Sequence, residues 1–242
     1  MSRDEFTRLL KRLRQAAHDG HDLSTVSAVY AARLLHLQAL TLNLRAESGA
    51  LELLWGTLAD GHLGADLEDL QYTLGEGPTL DAARTGEAVT ETDLTTQAAA
   101  ERWPAFTAAT HDTSARAVIA IPLLLGVATT GVMTGYRTTT GLFPMEQRLD
   151  LETFAHTALH LLLNTPPKAL AADTDLEPVP RPDLSLHHAV VHQAAGFLSS
   201  RLDIPIADAL LRLRAHAFSH NRRLVDVARD VLDQRLDLTP DS

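Results

Sequence analysis

"VHQAAGFLSSRLDIPIADALLRLRAHAFSHNRRLVDVARDVL", residues 191–232, carries three helical rhythms in succession and no strand alternation. The first rhythm starts a turn earlier, with Ser185 as N-cap, and sets Leu186, Val190, Ala194, Phe197 and Leu198 inward. In the second, "IPIADALLRLRAHAF", Ile206, Leu210, Leu213 and Ala217 share a face. The third is expected to begin near Asn221, a good N-cap residue, and to bury Leu224, Val227, Ala228 and Val231. Arg222 and Arg223 would then occupy a first helical turn, where the partial positive charge of the helix end disfavours cations. Three helices of this length bury only a small core, so support from a first domain or a dimer partner is expected.

Upstream, "NTPPKALAADTDLEPVPRPDLS" holds five of the eleven prolines of the chain. Proline removes a donor and disfavours helix before it, so residues 165–184 read as a semi-extended linker. The charge changes across it. From Ser185 onward seven arginines balance seven aspartates, so the residues before Ser185 carry the whole net charge of −10. Such asymmetry suggests two modules with different partners.

Before the linker, residues 1–164 mix helices and strands. Ser2 and Glu5 form a capping box for a helix that places Phe6, Leu9, Leu10 and Leu13 on one face. A second helix is expected from about Leu23 to Leu35. "LQALTLNLRA" alternates as a strand with Leu40, Leu42 and Leu44 on one side, and "ALELLWG" reads as its partner. "TLGEGPTLDAARTGE" is a glycine-flanked turn into a short helix with Pro78 in its first turn. "ARAVIAIPLLLG" and "TGVMTGYRTT" read as two strands joined tightly, and a helix from about Pro144 to Leu163 closes the domain. Strands in the middle and helices at both ends predict an α+β domain with an antiparallel sheet. The stripes Phe6, Leu9, Leu10, Leu13 and Leu159, Leu162, Leu163 would be left in water, so a homodimer paired through these helices is expected.

At residues 187–235 the chain resembles the ANTAR domain, the three-helix RNA-binding module of bacterial transcription antiterminators. The shared features are "QAAG", Ala209, "LRAHA" and "NRRLVDVA". The region before the linker resembles a GAF domain of the type that precedes ANTAR in actinobacterial regulators, through "YTLGEGPTLDAARTGEAVTETDL", "RWPAF" and "AVIAIPLLLG" in that order. The pairing implies a GAF-like sensory domain (1–164), a linker (165–184) and an ANTAR domain (185–242). Together they imply a signal-responsive regulator that binds nascent RNA hairpins and prevents termination. Against the family pattern, Ala195 stands for a lysine, Ser199 for a methionine and Ala215 for an arginine. His188, His192, Ala195 and Ser199 read as one exposed stripe, uncharged at neutral pH, and lost cations weaken phosphate attraction. The alternative is therefore a regulatory protein-interaction module with a degenerate ANTAR domain that does not bind RNA.

Candidate RNA contacts are Arg222 and Arg223, where guanidinium charge joins free helix N–H groups, with Arg212 and Arg214 on the second helix. The bland alternative for Arg222 is an ion pair with Asp226. His188 and His192 would add charge below their ordinary pKa. Three histidine pairs at i, i+4 (156/160, 188/192, 216/220) have zinc-compatible spacing but no third ligand, so no metal is expected. Tyr72, Trp103, Phe106 and Tyr136 are candidates to line a small-molecule pocket, whose ligand the sequence does not identify. Zero cysteines exclude disulfides, thiol sensing and covalent bilin attachment. "GEGP" lacks the lysine of a phosphate loop, and Asp81 and Asp93 have no partner at a suggestive spacing, so no enzyme is expected. No run approaches the ~18 apolar residues of a membrane span, and the charged "MSRDEFTRLLKRLRQ" lacks a signal-peptide core, so a cytoplasmic protein is expected.

Overall fold

The computed structural model describes residues 3–19, 21, 23–46, 49–57, 63–164, 184–220 and 222–238, and of 184–188 the backbone alone. The linker assigned to 165–184 thus lies outside the described residues, apart from the backbone of Leu184. The chain divides into two compact units, one built on residues 1–72 and 76–178 and the other on residues 73–75 and 179–242.

The N-terminal unit is α+β. Its elements are α1 (Arg3–His18), a 3-10 turn at Leu23–Thr25, α2 (Ala28–Leu34), β1 (Ala39–Arg45), β2 (Leu51–Gly56), α3 (Leu63–Leu74) and α4 (Pro78–Thr85). There follow β3 (Val89–Glu91), α5 (Gln97–Arg102), α6 (Pro104–Thr110), β4 (Ala117–Leu125), β5 (Ala128–Arg137) and α7 (Met145–Asn164). The sheet has the order β2-β1-β5-β4-β3, and every recorded pairing is antiparallel. The second expected helix is split: Ser27 Oγ accepts from Tyr30 N at 3.3 Å and caps α2 there.

Strand parity explains where the core sits. Leu40 and Leu42 on β1 and Met133 on β5 enter a hydrophobic cluster with α1, α2 and α7. Their neighbours Thr41 and Thr134 are register partners on the opposite face, and they are buried as well. Residues on both faces of these central strands are therefore buried.

Two expectations about α1 change. Phe6, Leu9, Leu10 and Leu13 are all buried, and α1 packs along α7 within its own unit. Leu159 is buried too, while Leu163 remains 53% exposed. The stripe that was to pair two subunits is used inside one, because its partner helix lies far along the chain. No helix among the described residues is long and apolar enough to cross a membrane.

The C-terminal unit is three helices, α8 (Leu184–Leu202), α9 (Ile206–Ser219) and α10 (Leu224–Leu232), each packed on the other two.

Candidate functional site

In the C-terminal unit α8 buries Val191, Ala194, Ala195 and Leu198, one stripe at i, i+3, i+4 and i+7. Val190 and Phe197, expected inward, are only half-buried. The face is turned by about one residue from the expected one, roughly 100° of helix. Ala195 consequently has 0% exposure and does not belong to an exposed stripe with His192 and Ser199. His192 and Ser199 are half-buried, and Ser199 Oγ donates to Ile204 O at 2.6 Å. The side chain of His188 lies outside the described residues. On α9, Ala209, Leu213 and Ala217 are buried, whereas Ile206 is 58% exposed at the first turn. Alanines at contact positions on α8, α9 and α10 let the three backbones approach closely.

The start of α10 also differs. The helix begins at Leu224, with Arg223 as its N-cap in extended conformation and no side-chain cap bond. Asn221 lies outside the described residues. Arg222 precedes the helix, and its N–H donates to Ala217 O at 2.9 Å, closing α9 instead of opening α10. Its guanidinium pairs with Asp230 at 2.5 Å, not with Asp226, and Arg235 pairs with the same carboxylate at 2.9 Å. Hydrogen bonds from these two arginines hold the Asp230 carboxyl below the usual carboxylate range. Arg222 is thus a brace across the unit. Arg223 is exposed at the mouth of α10, and Arg212 and Arg214 are half-buried on α9. Those two are two residues apart, hence about 200° around the helix, and they face different sides. Arg212 Nη1 donates to Leu238 O at 3.4 Å.

His216 and His220 stack face to face, 4.0 Å between centroids and 18° between planes. Parallel rings do not converge on one ion. Burial, then the neighbouring His220 and Arg222, push the His216 pKa down. Among the described residues no group of three or more histidines and carboxylates is placed to hold a metal.

The N-terminal unit holds a second arrangement, between the sheet and helices α3 and α4. Glu68 is fully interior, and its Oε1 accepts from Thr41 Oγ1 at 2.7 Å, Tyr136 Oη at 2.8 Å and Thr79 Oγ1 at 3.3 Å. Gln71 Nε2 donates to Tyr136 Oη at 2.7 Å and Thr79 Oγ1 at 2.9 Å, and Gln71 Oε1 accepts from Thr79 N at 2.7 Å. Thr79 and Thr134 hydroxyls meet at 2.9 Å. Asn43 Nδ2 is buried and makes no hydrogen bond among the described residues. Burial pushes the Glu68 pKa up, against the lowering effect of its hydrogen-bond donors, and burial beside Glu68 pushes that of Tyr136 well up.

A raised carboxylate pKa favours the fold below the ordinary glutamate range and costs stability as pH rises through the raised value. Glu68→Gln is therefore expected to gain melting temperature relative to the parent at neutral pH. The gap should shrink towards acid, and a gap that does not vary with pH would contradict the assignment.

The four aromatic candidates separate. Tyr136 belongs to the Glu68 cluster, and Tyr72 is buried on α3 beside it in sequence. Trp103 Nε1 donates to Asp81 Oδ2 at 3.1 Å, and Arg102 lies 4.4 Å over the Trp103 ring while pairing with Asp81 at 3.2 Å. Arg84 pairs with Asp81 as well, so Asp81, read as partnerless in sequence, is a hub. Asp93 also has a partner, Thr95, whose N–H and hydroxyl it accepts at 2.9 and 2.6 Å. Phe106 is core, and Glu76 Oε1 accepts from Ala105 N and Phe106 N at 2.7 and 2.8 Å, capping α6. "GEGPTLD" and "RWPAF" are therefore two halves of one structural lock. Glu68, Gln71, Thr41 and Thr134 were not singled out from sequence, because nothing distinguishes such polar residues from solvent-facing ones until α3 is laid on the sheet.

Residues 186–232 match the family model of the ANTAR domain. The matched span starts two residues into α8 and ends with α10, so the ANTAR-like stretch coincides with the three-helix unit. No curated protein matches the chain. Among solved structures, the GAF domain of a phosphoenolpyruvate-protein phosphotransferase from Acinetobacter is 14% identical, with a TM-score of 0.49 over 67% of this chain and 95% of that one. The corresponding GAF domain from Coxiella burnetii is 16% identical, with a TM-score of 0.47 over 67% and 96%. Free methionine-R-sulfoxide reductase from Neisseria meningitidis, in complex with its substrate, is 15% identical, with a TM-score of 0.47 over 66% and 89%.

Proposed function

We propose that the protein is a signal-responsive transcription antitermination regulator that binds nascent RNA hairpins through its ANTAR-like unit, under control of the GAF-like N-terminal unit. The observation that carries this reading is the family match over residues 186–232, which spans α8 to α10. In this reading Arg223, exposed at the N-terminus of α10, meets phosphate or stacks on a loop base. Arg212, Arg214 and His192 contribute from α9 and α8, and Arg222 supports the site by fixing the α9–α10 corner against Asp230. The protein works in the cytoplasm, where nascent transcripts are made, as a homodimer that offers one ANTAR-like unit to each of two paired hairpins. No metal is required, and the signal is a small molecule or a regulatory protein received by the N-terminal unit. No catalytic step is assigned to either unit.

A second reading has an observation of its own. Leu211 and Phe218 on α9 are 64% and 61% exposed, on the side opposite the buried Ala209, Leu213 and Ala217. Exposed apolar residues on one helix face suit a protein partner better than a phosphate backbone, which favours an interaction module without RNA affinity. The missing lysine no longer supports that reading, because position 195 is interior. A gel shift with a paired-hairpin RNA separates the two: retarded, salt-sensitive RNA supports the regulator, and unshifted RNA supports the interaction module.

A further inference from the structure

On the N-terminal unit a groove of about 430 Å³ runs between the end of α2, the end of β5 and the start of α7. Its apolar wall is Leu34, Leu35, Leu142 and Pro144. Gln147 is occupied, since its Nε2 donates to Leu35 O at 2.7 Å and His36 O at 3.3 Å and ties α7 to the end of α2. Glu146 is paired with Arg3 at 2.6 Å on the solvent side. Arg137 donates to Leu142 O and Gly141 O at 3.2 and 2.5 Å and lies 4.2 Å over the Phe143 ring.

Asp150 is different. It lines the groove with only 9% exposure, and among the described residues no donor is hydrogen-bonded to its carboxylate. Its charged neighbours are Arg3, whose own hydrogen bond goes to Glu146, and Glu146 itself. Burial pushes its carboxyl up from the ordinary aspartate value. Its oxygens open to the groove, so water serves the carboxylate until a ligand with better donors displaces it.

We propose that this groove binds a small aliphatic molecule carrying a primary ammonium group, whose N–H donors complete Asp150 and whose carbon chain lies against the apolar wall. The volume falls within the range of small-molecule sites, roughly 300–1,000 Å³. An ammonium supplies three donors and opposite charge, a charge-assisted bond that water does not give the carboxylate. The ammonium can come from a simple amine or from a free amino acid, whose carboxylate would add a contact to Arg137. The site lies wholly in the N-terminal unit, so it stands or falls independently of RNA binding.

The test is calorimetric titration of the full chain with pentylammonium, L-norleucine and, as the uncharged control, pentanol. At least one of the two ammonium compounds should bind about tenfold or more tightly than pentanol. Tighter binding of norleucine assigns the amino-acid source, and tighter binding of pentylammonium the simple amine. Asp150→Asn should reduce the ammonium compound to the affinity of pentanol without lowering the melting temperature. Leu142→Ala, at a residue 82% exposed and so not needed for folding, should weaken binding whether or not the Asn variant folds. Binding of neither ammonium compound, or equal binding of pentanol, would overturn the proposal. So would unchanged affinity in a folded Asp150→Asn protein.

Discussion

Ala195→Lys is expected to cost the C-terminal unit about 3 kcal/mol or more, enough to melt a three-helix module of this size. Ala195 has no exposed area and shares its face of α8 with Val191, Ala194 and Leu198. A lysine there must either carry its ammonium into an apolar contact or force helices apart that alanines allow to pack closely. A surface position would behave oppositely, since lysine is a good helix former and exposed substitutions usually stay within about 0.5 kcal/mol. Hydrogen exchange of the full chain, read over residues 189–232, distinguishes them: loss of protection supports burial, and parent-like protection contradicts it. The lysine common in the ANTAR pattern cannot simply be restored in this chain.

Gly77→Ala should be similarly damaging to the N-terminal unit. Gly77 has φ +136°, and an added Cβ would lie 2.4 Å from Gln71 Oε1 and 2.5 Å from its Cγ. Gln71 accepts from Thr79 N and donates to Tyr136, so displacing it undoes the cluster around Glu68. Backbone strain and broken buried hydrogen bonds together predict a loss of about 3 kcal/mol in chemical denaturation. Gly126→Ala is the control, because Gly126 also has positive φ (+64°) but a Cβ there meets nothing within 4 Å. It should cost about 1 kcal/mol, the backbone term alone. Equal losses at both sites would show that the contact with Gln71 does not matter.

How much of this was legible depended on what lay across from each residue. Strand β1 follows from alternation, β2 reads as its partner and β4 and β5 as two strands joined tightly, and β1–β2 and β4–β5 pair as neighbours in sequence do. Helix α3 was not read, because Glu68 and Gln71 on its buried side break the apolar period by which such helices are recognised. The buried face of α8 differs from the expected one because two apolar stripes compete there. Phe197 made the stripe through Val190 look heavier, yet the close-packed one runs through the small Ala194 and Ala195. The Arg222–Asp230–Arg235 brace ties the segments before and after α10 to its last turn, and Arg222 lies eight residues from Asp230, so the i, i+4 rule points to Asp226 instead. Motif order in "GEGPTLD" and "RWPAF" marked residues that matter, but their bonds run to Asp81 and Glu76, which hold helices in place.

RNA binding by the ANTAR-like unit is the central claim, and Arg223 gives the most direct test of it. Arg222 is a poor probe, since its removal also takes one of two partners from Asp230. Arg223 is exposed at the start of α10, where a carboxylate suits the helix end, so Arg223→Glu should leave the fold intact. The measurement is a gel-shift titration of a paired-hairpin RNA with the full chain and with Arg223→Glu, repeated over a series of salt concentrations. The account predicts that the parent binds, with affinity falling as salt rises. The variant should bind about tenfold or more weakly, with a salt slope smaller by about one counterion, at unchanged melting temperature. RNA left unshifted by the parent at low salt would contradict the claim itself, and parent-like binding by Arg223→Glu would remove the N-terminus of α10 from the interface.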